Sequence, residues 1–310
     1  TYAPDEAELV RFERTLQAIW AAIELAVATG DFDGNGVGDL AVGVLRENRA
    51  KGIVQVLPGM AGAGVGRLPA TSYNQNTAGV PGVAERGDSF GAALAAGDVT
   101  GDGRADLAVG APGENESSDA PELGEGAVTL LPGSPSGLTG NRSQTWSQRS
   151  PGVGGVPGDL DQFGASLAIA PLNSGKYLDL AVGAPGDDVR STQYTGSVTI
   201  LLGTGSGLST AGAGGRRLHQ DTPGIGGAVE TNDSFGGSVA TPHLQSEGQA
   251  SLVIGAPWET VRGKLSAGMV HQLAATPSGP SATESRTFHL STPGVKGTAA
   301  LEGLFGGDVS

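Results

Sequence analysis

Residues 90–112 read FGAALAAGDVTGDGRADLAVGAP. A run of small and apolar residues, Gly91 to Ala96, leads into an Asp- and Gly-rich stretch. A second apolar run, Leu107 to Val109, ends in Gly-Ala-Pro. Two short runs about a turn predict two antiparallel strands joined by a polar loop.

The same unit returns along the chain. Phe-Gly recurs at Phe90, Phe163, Phe235 and Phe305, in steps of 73, 72 and 70 residues. Thirteen residues before each Phe stands Thr77, Ser150, Thr222 or Thr292, opening a variant of Thr-Pro-Gly-Val-x-Gly. Twenty residues after three of them comes the Gly of a Gly-Ala-Pro: Gly110, Gly183 and Gly255. The same offset leads back from Gly43 to Ile23, so the first repeat has Ile23-Glu24 where the others have Phe-Gly. A third run follows a Gly at Gly126, Gly196 and Gly268. A fourth is more polar and alternating, as in Ser143 to Gln148. Four strands per unit, the last outermost, predict an all-β propeller of four-stranded antiparallel blades. Four full repeats and one further strand fit within residues 23–310. Residues 1–22 stand outside the repeat: Leu9, Phe12, Leu16 and Ile19 or Trp20 recur at helical spacing behind Asp5, which predicts a short N-terminal helix over about 5–21.

Bulk properties agree with a turn-rich β protein. Gly accounts for 54 of 310 residues, about twice the usual share. The net charge of −14 disfavours nucleic acid and anionic membrane surfaces as partners. Cys is absent, so no disulfide and no thiolate metal site exists. No apolar run is long enough to span a membrane. The most apolar N-terminal stretch, Ala18 to Ala28, is broken by Glu24 and lacks the basic start of a signal peptide.

Between the first two strands of repeat one lies Asp31-Phe-Asp-Gly-Asn-Gly-Val-Gly-Asp39. Oxygen-bearing side chains fall at loop positions 1, 3, 5 and 9 as Asp31, Asp33, Asn35 and Asp39, and Val37 at position 7 offers its carbonyl. Alternating oxygens on a tightly curled loop converge, and calcium takes six to eight of them. The twelfth position is Val42 rather than the Glu of an EF-hand, and strands flank the loop. Repeat two offers Asp98, Thr100, Asp102, Arg104 and Asp106 at the same positions, with Arg104 contributing only its carbonyl. Fewer formal charges predict a weaker site there. Repeats three and four place Pro171, Asn173, Gly175 and Asp179, then His243, Gln245, Glu247 and Ser251, at the ligand positions. Neither set forms the same cage, so calcium is expected only in repeats one and two.

Phe-Gly, an Asp-x-Asp-x-Asn-Gly-x-x-Asp loop and Gly-Ala-Pro, in that order about 70 residues apart, resemble the FG-GAP repeats of integrin α subunits and of many bacterial secreted proteins. The high Ala, Gly and Val content looks like a bacterial member. The resemblance implies an extracellular or cell-surface protein whose calcium-stiffened propeller binds a protein or carbohydrate ligand on one face, as an adhesion-type module. Two departures stand out. Integrin-type propellers have seven blades, against four repeats and a strand here, and repeat one lacks its Phe-Gly.

Other constellations carry less. Arg86-Gly87-Asp88 is an adhesive tripeptide, but Asp88 matches Asp161 and Asp233 two residues before each Phe and so belongs to the repeat. The four His residues show no zinc-site spacing. Trp146, Trp258 and Tyr194 suit packing better than a sugar surface. An enzyme, a hydrolase or cyclase, or an accessory domain of one, would use acids that follow the Gly-Ala-Pro turns, Asp187, Asp188 or Glu259, around a pocket. Read plainly, these are solvated loop acids. A third reading is a subunit of a larger assembly that pairs through an exposed edge strand.

Overall fold

In a computed structural model, residues 26–115, 124–211, 215–244 and 248–309 are described. The expected N-terminal helical segment, residues 1–22, and Ile23-Glu24 lie outside them.

The described chain is all-β apart from a helical turn at Glu47–Ala50. Its strands form four successive antiparallel sheets. The first blade comprises Val27–Gly30, Asp39–Val44, Ile53–Leu57 and Thr71–Tyr73. The second comprises Ala93–Gly97, Asp106–Ala111, Ala127–Leu131 and Gln144–Trp146. The third comprises Ser166–Ala170, Asp179–Ala184, Ser197–Thr204 and Arg216–Leu218, with Gly207–Ser209 pairing back onto its long third strand. The fourth comprises Ser238–Ala240, Leu252–Ala256, Met269–Ala274 and Ser281–Phe288. In each blade, strand order follows chain order and the last strand lies at an edge. The register of the first hairpin is the same in all: Gly30 faces Asp39, Gly97 faces Asp106, and Ala170 faces Asp179.

The first strands line up across the molecule, Val27–Gly30 beside Ala93–Gly97, then Ser166–Ala170, then Ser238–Ala240. This is a β-propeller-like arrangement. Among the described residues no strand of the fourth sheet pairs with the first.

The repeated motifs have direct packing causes. Phe90, Phe163 and Phe235 are fully buried. Each sits in one of three apolar clusters, and each cluster takes residues from two neighbouring blades. Phe90 joins Val54, Val56, Leu107 and Val109; Phe163 joins Val128, Leu130, Leu180 and Val182; Phe235 joins Val198, Ile200, Leu252 and Ile254. Burying one Phe side chain is worth about 2–3 kcal/mol, so the aromatic of each repeat bolts the junction to the preceding blade. The backbone N–H of each Phe also donates to the preceding blade: Phe90 to Lys51 O at 3.1 Å, Phe163 to Glu125 O at 3.0 Å and Phe235 to Thr195 O at 2.9 Å. Phe305 does the same to Ala267 O at 3.1 Å, so the fourth Phe-Gly seats on blade four.

The Gly of Gly-Ala-Pro answers a close approach. A methyl group at Gly110 would overlap the carbonyl oxygen of Gly164 in the next Phe-Gly. Gly43 against Gly91, Gly183 against Gly236 and Gly255 against Gly306 repeat that contact. Two motifs 20 residues apart in each repeat are thus the two halves of one inter-blade joint.

Candidate metal-binding loops

The polar loops cap the hairpins between first and second strands, all at one end of the blades. In loop one the Asp31 carboxylate accepts three backbone N–H groups, from Gly34 at 2.8 Å, Asn35 at 3.0 Å and Gly36 at 2.7 Å. Asp33 accepts the N–H of Asn35 at 2.9 Å, and Asn35 Oδ1 accepts that of Val37 at 2.8 Å. These local bonds curl the chain, which Gly34 and Gly36 permit by adopting φ of 76° and 84°. Asp39 is buried and holds the loop from below: its two oxygens accept the N–H of Phe32 at 2.9 Å and of Gly59 at 2.7 Å.

The curl brings one oxygen from each of Asp31, Asp33 and Asp39 within 4.8 Å of one another. Among the described residues this is the one group of three acidic or His side chains so placed. Asp31 Oδ1 already accepts two N–H groups, whereas Asp31 Oδ2 and the oxygens of Asp33 and Asp39 accept one each and retain a lone pair. Three carboxylates at that spacing repel one another, and a hard divalent cation is the species that relieves the repulsion. The donor set therefore fits calcium. Asn35 is exposed and Val37 half-buried at the loop tip.

Loop two repeats the scaffold with different tip chemistry. Asp98 accepts the N–H of Asp102 at 3.0 Å and of Gly103 at 2.9 Å. Asp106 accepts from Val99, Thr100 and Gly133, all at 3.0 Å, and burial pushes its carboxyl up from the ordinary range. The Thr100 hydroxyl is buried with no hydrogen-bond partner, which leaves its oxygen available. Arg104 departs from expectation. Its guanidinium, rather than its carbonyl alone, acts in the loop: Nη2 lies 2.5 Å from Asp102 Oδ2. A tethered cation thus already neutralises one of the acids.

Among the described residues, loops three and four show no such cluster. Asn173 donates through Nδ2 to Asp179 Oδ2 at 2.7 Å, and Gly203 N–H donates to Asp179 Oδ1 at 3.0 Å. Burial pushes Asp179 up to about 6. In loop four His243 is exposed and Ser251 is fully buried; Gln245 and Glu247 lie outside the described residues. The ninth-position acid is therefore a hairpin keystone in blades one to three. It ties the loop's second or third residue to the far end of the third strand, at Gly59 or Gly133 just beyond it or at Gly203 near its end. This role was not read from the sequence, although the survival of Asp179 among lost ligands was its signal.

Of the acids that follow Gly-Ala-Pro, Asp188 is exposed, whereas Asp187 and Glu259 depart from the solvated-loop reading. Asp187 and Glu259 are buried at the opposite end of the blades. Asp187 accepts from Ser197 Oγ and from Arg217 Nε, and Glu259 accepts from Gln220 Nε2. Asp88 is buried as well, like its counterparts Asp161 and Asp233, so the acid of the Arg-Gly-Asp sequence belongs to the blade junction. Trp146 packs against the cluster around Phe163.

With its four-stranded blades and acidic hairpin loops, the chain is a propeller-type repeat protein. The family model for the FG-GAP repeat matches residues 25–57 and 90–131, so the chain carries FG-GAP repeats. These segments hold both acidic loops. The chain is similar to phosphatidylinositol-glycan-specific phospholipase D of Bos taurus, 28% identical over 56% of this chain and 19% of the phospholipase. It is also similar to integrin alpha pat-2 of Caenorhabditis elegans, 26% identical over 77% of this chain and 19% of the integrin. The chain thus spans about a fifth of the length of these relatives. Among solved structures, a Bacillus licheniformis rhamnogalacturonan lyase PL11 superposes with a TM-score of 0.42 and 12% identity, over 73% of this chain and 39% of the lyase. No helix among the described residues is long and apolar enough to cross a membrane.

Proposed function

We propose that this chain is a calcium-stabilised extracellular binding module of the integrin α-like kind, in which residues 23–310 form the propeller domain. The observation that carries the reading is the convergence of Asp31, Asp33 and Asp39 within 4.8 Å at the tip of an FG-GAP hairpin. Asp31, Asp33, Asn35, the Val37 carbonyl and Asp39 would hold calcium in blade one. Asp98, Thr100, Asp102, the Arg104 carbonyl and Asp106 would hold it more weakly in blade two. Bound calcium supplies positive charge that offsets the clustered carboxylates. The chain supplies the shape: backbone N–H groups fix each Asp, and the keystone acid joins the loop to the neighbouring hairpin.

Stiffened loops give one end of the blades a defined surface for a protein or carbohydrate ligand. A recess of about 320 Å³ at that end, lined by Leu172, Asn173, Ile200, Arg216, Pro277 and Pro280, offers apolar walls with one guanidinium. The relatives named as an integrin and a phospholipase support a surface or extracellular setting. The enzyme reading finds less support, because Asp187 and Glu259 are enclosed in blade junctions rather than lining that recess.

Thermal unfolding in millimolar calcium and in excess chelator tests the proposal. Because calcium would bind the folded form, the midpoint should rise with calcium concentration. A midpoint indifferent to calcium, or an equal rise with Asp31→Ala, would reject it.

A further inference from the structure

Of the eight Asn residues in the chain, Asn35 alone is followed by Gly. A Gly nitrogen after Asn is the least hindered backbone nucleophile a chain offers, because no side chain stands beside it. It can close a five-membered ring onto the Asn side-chain carbonyl carbon. The two groups are covalent neighbours, so no folding is needed to bring them together. Regular strands and tight packing forbid the ring, and neither restraint holds here. Asn35 is exposed at the tip of loop one, Gly36 has φ of 84°, and a methyl group built on Gly36 would meet nothing within 4 Å.

The bonds that curl the loop also arrange this reaction. Val37 N–H donates to Asn35 Oδ1 at 2.8 Å, which polarises the carbonyl and stays on the oxygen where negative charge develops. Gly36 N–H donates to Asp31 Oδ2 at 2.7 Å, so the proton that the attacking nitrogen loses already points at an acceptor. Asn35 Nδ2 donates to Asp33 Oδ2 at 2.8 Å, which sets a second carboxylate beside the departing nitrogen. Loop two has Asp102-Gly103 at the same place, where ring closure releases water rather than ammonia and leaves the composition unchanged.

We propose that Asn35 is a self-modifying position, at which the calcium-free loop converts its own amide ligand to a carboxylate. The Gly36 nitrogen forms a bond to Asn35 Cγ and gives its proton to Asp31. The Cγ–Nδ2 bond breaks, the departing nitrogen takes up that proton, and ammonia leaves. Water then opens the cyclic imide at either carbonyl. One opening leaves an aspartate in place of Asn35, which adds a carboxylate to the ligand set and raises its demand for a cation. The other leaves an isoaspartate, whose extra backbone carbon puts the Val37 carbonyl out of step with Asp31 and Asp33. A bound cation stops the reaction at its start, because Asp31 and Asn35 are then committed to the metal and the amide cannot swing onto the Gly36 nitrogen. This metal control rests on the calcium reading above; the reactive dipeptide does not.

The test ages the full chain in calcium and in chelator at mildly alkaline pH. Peptide mass spectrometry follows the segment holding residues 31–39, and enzymatic methylation counts isoaspartate. In chelator, Asn35 should gain the mass difference between amide and acid, with both products present, and Asn35→Gln should not. With calcium at one hundred times the loop's dissociation constant only the metal-free fraction reacts, so the rate should fall about a hundredfold. Asn35→Asp, the counterpart of one product, should bind calcium more tightly than wild type in calorimetry. A loop that stays unchanged in chelator while an isolated peptide of residues 31–39 converts would overturn the inference, since the curl would then shield the amide. Equal conversion in calcium and in chelator would keep the reactive site but reject metal control, and with it calcium at loop one.

Discussion

Loop one and loop three hang from the same hairpin and differ in what their tips present. In loop one, Asp31, Asp33 and Asp39 converge with no cationic side chain among them. In loop three, Asn173 donates its amide to Asp179, and the other ligand positions carry Pro171 and Gly175. What both keep is the ninth-position acid, bonded to the far end of the third strand through Gly59 N–H just beyond it or Gly203 N–H near its end. The comparison separates two jobs that one motif had merged. The ninth acid builds the hairpin whether or not a metal binds; the first, third and fifth positions decide whether one can. Loop two lies between them, with acids at positions 1, 5 and 9, Thr100 at position 3 and an internal cation in Arg104.

The sharpest way to break this comparison is to remove a keystone where no ligand set exists. Asp179→Ala leaves the Gly203 N–H and the Asn173 amide without their acceptor inside the blade. It should cost about 3 kcal/mol in urea unfolding, equally in calcium and in chelator. A calcium-dependent loss would mean that loop three binds the ion after all.

Next in size is the complementary change at a ligand position. Asp31→Ala should abolish the loop-one share of the calcium-dependent stability, about 2.7 kcal/mol at a concentration one hundred times that site's dissociation constant, and leave the weaker loop-two share in place. In chelator its cost should be under about 1 kcal/mol, because the loop tip is exposed.

A buried His in blade four extends the contrast between early and late repeats. His271 stands where blades two and three have Thr129 and Thr199. It is fully buried against Phe235, with ring centroids 5.0 Å apart, and neither nitrogen has a partner. Burial lowers its pKa to about 4, below the unfolded value, so its neutral form contributes stability that is lost as pH falls from about 6.5 towards 4. Relative to His271→Thr, the wild type should lose about 1.4 kcal/mol per pH unit over that range in acid titrations followed by circular dichroism.

The smallest expected effect lies in loop two. Arg104→Val copies position 7 of loop one and frees Asp102. Exposed ion pairs are worth about 0–1 kcal/mol, so calcium affinity at this loop should rise by at most about fivefold, with stability in chelator nearly unchanged.

Much of this architecture was legible in the chain itself. The 70-residue spacing of Phe-Gly and Gly-Ala-Pro implied the blades, and Asp31, Asp33 and Asp39 implied the cluster, because strand pairing and loop curling act between near neighbours. What escaped depended on contacts between distant segments or on rotamers. That Arg104 folds onto Asp102 is a side-chain choice which spacing does not encode. That Asp187 and Glu259 are buried depends on partners 30 and 39 residues away, Arg217 and Gln220. The joint between Gly110 and Gly164 likewise becomes intelligible only when two repeats are stacked.

Calorimetric titration of calcium into the chelator-stripped chain, beside its Asp31→Ala and Asp98→Ala variants, tests the central claim most directly. Two sites are predicted, the tighter lost with Asp31→Ala and the weaker with Asp98→Ala. Absence of calcium heat at millimolar concentration, or two sites surviving in Asp31→Ala, would contradict the assignment of the ion to these hairpin tips.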